Sequence, residues 1–365
     1  MRELLDVILA IIGVALILWA SLSAVVTFVV PRGTPVRLTR WVFVVLAAVF
    51  RGVALRSPTY LKRDRIMALY APFGLISLPI VWLIIIYWGF TLLLFAAGVS
   101  PFHHALLLSA SSIFTLGSFP APNLTTEAIS SIEAGLGLGL VAILISYLPS
   151  IYSSYSKRES KVTGLEAFAG TPPFAGDLLV RLTRIGRLEA LPELWMSWAE
   201  WFGEIEETHT SIPALVFFRS PQPDRSWITA AGAVLDAASL VAATSAPMTQ
   251  PEAQLCIRSG FLSLRRIADY FNLDYDPNPS PDDPISVTRE EFDLVYDRLI
   301  EDATEVVVDR DDAWASFQGW RVNYDTVLLE LCSLTVAAPA PWSSDRAPDP
   351  STFQRLHRRR RSAQT

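Results

Sequence analysis

Eight residues, Ser112-Ile113-Phe114-Thr115-Leu116-Gly117-Ser118-Phe119, carry three hydroxyls and a glycine but no acid, base or thiol. Such a stretch holds no base that could activate its hydroxyls as nucleophiles. It offers oxygen, from side-chain hydroxyls and backbone carbonyls, and a ring of such dipoles can replace the hydration shell of a cation. The apolar run before it, Ala105 to Phe114, is helical in pattern but too short to cross a hydrocarbon core of about 30 Å, which takes roughly 20 helical residues. It can only dip in and turn back, and Pro120 and Pro122 exclude a helix that continues. Non-helical backbone at membrane depth is tolerated only where protein or a water-filled path covers it. A further apolar helix, Ile132 to Ser153, is expected to follow.

These residues resemble the pore module of the potassium-channel superfamily, S-x-x-T-[VLI]-G-Y-G at the filter followed by a glycine-bearing inner helix. The match runs from Ser112 to Gly117, with Ser118-Phe119 where the family has Tyr-Gly, and the resemblance covers about Ile66 to Lys157. It implies a homotetramer in which Thr115, with the carbonyls of Leu116, Gly117 and Ser118, coordinates a permeant monovalent cation, K+ above all, with no other cofactor or metal. In the family the position of Phe119 is a glycine at positive φ, a conformation that costs Phe of order 1–3 kcal/mol. The chain is expected to turn Phe119 to negative φ and pack its ring behind the filter, losing one carbonyl ring and with it some preference for potassium over sodium.

The elements that must position this loop follow from hydropathy and charge. The chain has 365 residues, half of them apolar, and a net charge of −6. No Asp, Glu, Lys or Arg occurs between Arg65 and Glu127. Val7 to Val30 is an uncharged run of 24 residues, long enough to span and too long for a secretory leader; residues 1–31 are read as the first span. Residues 32–65 form a basic segment, with eight basic residues against Asp64 alone from Pro31 to Arg65, which the positive-inside rule places in the cytoplasm. Within it Trp41 to Leu55 suits a helix lying in the interface. Residues 66–157 make the pore module: a span over Leu69 to Gly98, the pore helix, the filter and the inner span. The expected fold is therefore an all-α membrane protein, with three transmembrane helices, a re-entrant pore helix and an α-helical cytosolic domain, and with the N-terminus outside the cell membrane.

Around the loop, Glu127 and Glu133 are candidate acids of an outer vestibule that would concentrate cations; Glu133 is equally well read as an acid favoured at a helix N-terminus. Gly135, Gly137 and Gly139 are candidate hinges of the inner helix, or small residues that let the pore helix approach. His103 and His104 are adjacent and so do not face one site on a helix.

Residues 158–342 read as a helical cytosolic bundle, with apolar residues recurring at helical spacing and no sustained alternation. Asp274, Asp276, Asn278 and Asp282 space like a calcium loop, but Pro279 and Ile285 stand where that loop needs glycine and glutamate. There is no phosphate-cradling loop, dinucleotide fingerprint or nucleophile elbow, so an enzyme is not indicated. Cys256 and Cys332 are read as buried thiols. Residues 343–365 form a basic tail expected to be disordered, in which Arg355, Arg358, Arg359, Arg360 and Arg361 would meet anionic lipid headgroups. Nucleic-acid binding is not expected of an acidic domain. The rival to a channel is a non-conducting membrane scaffold or sensor that presents the helical domain to a partner.

Overall fold

The computed structural model describes residues 2–29, 37–245, 250–302 and 306–348. The five tail arginines from Arg355 to Arg361 lie outside the described residues. Every regular element described is helical, as the periodicity requires. Four helical stretches are long and apolar enough to cross a membrane: Glu3–Thr27, Tyr60–Ala96, Leu124–Ala169 and Trp227–Thr244. The chain divides into two compact units, one of residues Met1–Arg56 and Ile66–Ser153, the other of Ser57–Arg65 and Ser154–Thr365. Ser57–Arg65, placed on sequence grounds with the basic cytoplasmic segment, thus belongs with the helical domain.

In the first unit α1 (Arg2–Val29) packs on α4 (Tyr70–Ala96). They meet at Gly13 and Gly89: a Cβ on Gly13 would lie 2.6 Å from the Gly89 carbonyl oxygen, and one on Gly89 would lie 2.9 Å from that of Gly13. Only hydrogen fits there, the small-residue contact by which apolar helices approach closely. The Trp82 indole N–H then reaches Ser23 Oγ at 3.0 Å. Helix α2 (Arg37–Ala54) is the amphipathic helix expected over Trp41 to Leu55; Phe43 fills the gap left by Gly74, and its carbonyl accepts from Tyr70 Oη at 3.1 Å. Helix α5 (Phe102–Ile113) is the short one, and α6 (Leu124–Ala169) runs past the expected end at Ser153 with Pro149 inside it.

The second unit holds α3 (Tyr60–Ala68) up to Arg65, α6 from Ser154, and α7 (Ala175–Arg184), α8 (Leu191–Ser211), α9 (Trp227–Thr244), α10 (Pro251–Phe271), α11 (Arg289–Glu301), α12 (Arg310–Arg321) and α13 (Asp325–Thr335). Helix α9, apolar enough to span, is instead the core of this bundle: 94% of it is buried among its neighbours. Its one acid explains how. Asp236 pairs with Arg321, which also reaches Asp325 at 2.9 Å and the Trp342 carbonyl, all within the core. Burial works against the Arg321 charge, but the two carboxylates outweigh it and hold its pKa up. The helix expected over Asp311 to Leu334 is broken in two, because the Asn323 amide donates to the Gly319 and Trp320 carbonyls and ends α12. The described start of the tail is packed: Ser343 is buried and Arg346 pairs with Glu291. Both cysteines are buried and unpaired, and burial pushes their thiols up.

Two further arginines tie the ends of this unit together. Arg158, buried on α6, donates to the carbonyls of Leu215 and Phe218 at 2.7 and 2.6 Å and pairs with Glu159. Arg219 donates to Asp64 at 2.7 Å and to the Thr335 and Val336 carbonyls at 2.8 Å. His209 Nε2 sits 3.2 Å from Arg158; burial first, and the arginine charge second, push its pKa well below the usual range.

Replacing Arg321 by Met leaves two carboxylates buried without a positive charge beside them, and should cost about 3–5 kcal/mol, read as a lower thermal midpoint of the full chain in detergent. His209 is held neutral when folded and binds a proton more readily when unfolded, so the stability it contributes is present above about pH 6.5 and falls as pH drops below that value. The thermal midpoint should decline from pH 7 to pH 5, and His209→Gln should flatten the decline.

Candidate functional site: the loop after the short helix

Twelve residues of α5 span only about 18 Å at 1.5 Å per residue. Its C-terminal end is closed by backbone alone. Thr115 N–H donates to the Ser112 carbonyl at 2.9 Å and Leu116 N–H to that of Ser111 at 2.7 Å, the paired bonds that end a helix when the residue after the cap turns left-handed. Thr115 takes that conformation, φ 53°. Positive φ thus falls on Thr115, a β-branched side chain for which it is an outlier. Asn272 and Val336 end α10 and α13 in the same way. Gly117, at φ 62°, then reverses the chain at no steric cost.

A side chain completes the turn. Ser111, buried on α5, accepts through Oγ from the N–H groups of Ser118 at 2.9 Å and Phe119 at 3.2 Å. The amides from Thr115 to Phe119, all but that of Gly117, are so drawn back onto α5. Among the described residues none donates to the carbonyls of Thr115, Leu116, Gly117 or Ser118, and these four residues are exposed. Phe119 is outside the positive-φ region; its ring is half-buried against the cluster of Leu94, Val99, Ala105 and Leu108, 5.4 Å from the His104 ring.

The surrounding candidates separate. Glu127 is exposed in the first turn of α6. Glu133 is not on an open vestibule in this chain: it is fully buried, with Oε1 2.5 Å from Ser109 Oγ, which also lies 3.1 Å from the Tyr87 carbonyl. Helices α4, α5 and α6 meet at this polar node. Glu133 Oε2 has no hydrogen-bond partner there, nor has the buried Ser130 hydroxyl about one turn earlier on α6. Gly137 is where α6 touches α5, since a Cβ would lie 2.4 Å from the Ile113 carbonyl oxygen, whereas Gly135 and Gly139 face open space.

Neither Ser111 nor Ser109 stands out in the sequence. A serine in an apolar helix signals nothing until the turn that follows brings its partner back. No group of three or more His, Cys, Asp or Glu side chains that could hold a metal occurs among the described residues. Asp276 and Asp283 instead accept from the backbone of their own turn, at Asn278 and Ser280.

The Ser111→Ala variant removes the acceptor of two loop amides. Hydrogen exchange at Ser118 and Phe119 should accelerate while the amides inside α5 stay protected; unchanged exchange at both would mean that the hydroxyl does not hold the loop.

No family model, no curated protein and no solved structure matches the chain.

Proposed function

We propose that the chain forms a homotetrameric channel for monovalent cations, K+ being the ion best suited, in which each copy lends the Thr115–Phe119 loop to one central path. The observation that carries this reading is the loop's division of polar groups. Its amides are turned inward onto α5, and four consecutive carbonyls are left exposed without a donor. Carbonyls in that state, if set at membrane depth, need water or a cation, and one chain with one such loop cannot close a ring alone. Span, short helix, loop and second long helix follow in the order α4, α5, 114–123 and α6, in keeping with the pore-module resemblance. Glu127, exposed near the loop in sequence, would add negative potential at the outer mouth. The charge asymmetry favours a cytoplasmic helical domain that governs opening or assembly, with the basic tail residues from Arg355 to Arg361 meeting anionic lipid.

Purified protein in liposomes should pass potassium, and Gly117→Pro, which forbids positive φ at the reversal, should abolish the flux while the tetramer persists. Reversal potentials in mixed potassium and sodium should show weak preference for potassium, increased in Phe119→Gly. Absence of flux under all ionic conditions would favour the non-conducting scaffold.

A further inference from the structure

On the helical domain two side-chain stripes face each other across a groove of about 350 Å³. One stripe, on α6, is Lys157, Ser160, Lys161, Gly164, Leu165 and Phe168; the other, on α8, includes Ser197, Trp198, Glu200, Trp201 and Glu204. Both follow the three- and four-residue spacing of a helix face. Lys157 and Lys161 on one wall and Glu200 and Glu204 on the other have opposite signs, yet none of them forms an ion pair among the described residues. Lys161 Nζ rests instead on Ser197 Oγ and above the Trp198 ring, 5.9 Å from its centre.

An anion alone would meet two lysines but also two carboxylates, and a cation alone would meet the reverse. Only a molecule carrying both signs complements both walls, and Leu165, Phe168 and Trp198 give its carbon body an apolar lining. We propose that this groove binds a small zwitterion, its carboxylate or phosphate held by Lys157 and Lys161, and its ammonium by Glu200 and Glu204. The chemistry is the same for a free amino acid and for the headgroup of a phosphatidylethanolamine. Gly164 fits the site: a Cβ there meets nothing within 4 Å, so a larger side chain would enter the groove without disturbing the helix packing.

Full-length protein in detergent should give saturable heat by titration calorimetry with 4-aminobutyrate or 6-aminohexanoate, and none with butyrate or butylammonium. Lys157→Gln and Glu204→Gln, both at exposed positions, should each weaken binding about tenfold, the scale of one charge-assisted contact, and Gly164→Leu should abolish it with an unchanged thermal midpoint. In nanodiscs, a rise in midpoint on adding phosphatidylethanolamine to phosphatidylglycerol, lost in Gly164→Leu, would assign the lipid headgroup as the source. The proposal is overturned if butyrate or butylammonium binds as tightly as the zwitterions. It is equally overturned if Gly164→Leu binds like wild type, or if neither the soluble probes at about 10 mM nor the lipid has any effect.

Discussion

A helix must find partners for the polar groups at its ends, and in α5 that requirement falls on twelve residues with little else to meet it. The left-handed turn at Thr115 uses two amides, and Ser111 Oγ takes two more. With the donors thus committed to one side, the carbonyls of Thr115 to Ser118 are left to the other. The shape of the loop therefore follows from how its amides are satisfied, and the row of exposed carbonyls is the complement of that arrangement. Thr115 accepts a strained φ because the cap geometry demands one, and its own Oγ1 donates to the Phe114 carbonyl at 2.8 Å.

The buried polar groups around Arg321 and around Glu133 are satisfied to different degrees. Around Arg321 each side chain has a partner: Asp236 is shared with Tyr324, and Asp325 with Ser286. Such a network tolerates burial because little is left unpaired. At Glu133 one carboxyl oxygen lacks a partner, as does the Ser130 hydroxyl on the same helix, and an unmade bond to a buried group costs about 1–3 kcal/mol. Packing alone gives no reason to keep a carboxyl there, since an apolar side chain would avoid the cost. Buried ionisable groups between apolar helices are retained where a water, an ion or a proton uses them, and this one sits where α4, α5 and α6 meet.

Much of the fold was legible in the sequence because it rests on local signals. Uninterrupted apolar runs marked α1, α4 and the course of α6, the proline pair excluded a helix continuing through the loop, and helical spacing marked the bundle from Ala175 to Phe271. Contacts between residues distant in sequence were not legible. Nothing near Asp64 announces Arg219, 155 positions away, and nothing in Arg-Val-Asn-Tyr at 321–324 marks the break between α12 and α13 except an asparagine whose amide turns back on its own helix. The site divided in the same manner. Thr115, Gly117 and Phe119 were identifiable from their types, whereas Ser111 and the inward position of Glu133 depend on how α5 and α6 come together.

That dependence on long-range contacts has its clearest instance in the segment 213–219. The chain passes into the second unit at Ser57 and again at Ser154, and both of these junctions are held by the same short stretch. Arg158, four residues past the second junction, takes the Leu215 and Phe218 carbonyls; Tyr155 Oη donates to the Arg219 carbonyl; and the Arg219 side chain takes Asp64 and Tyr60, which follow the first junction. Each of these bonds has a charged or buried member, the kind that is expensive to leave half-made. They break together more readily than singly, because a shift of 213–219 that releases Arg158 also moves the backbone from which Arg219 projects. The two junctions are thereby coupled through one element, irrespective of what lies beyond them in the first unit.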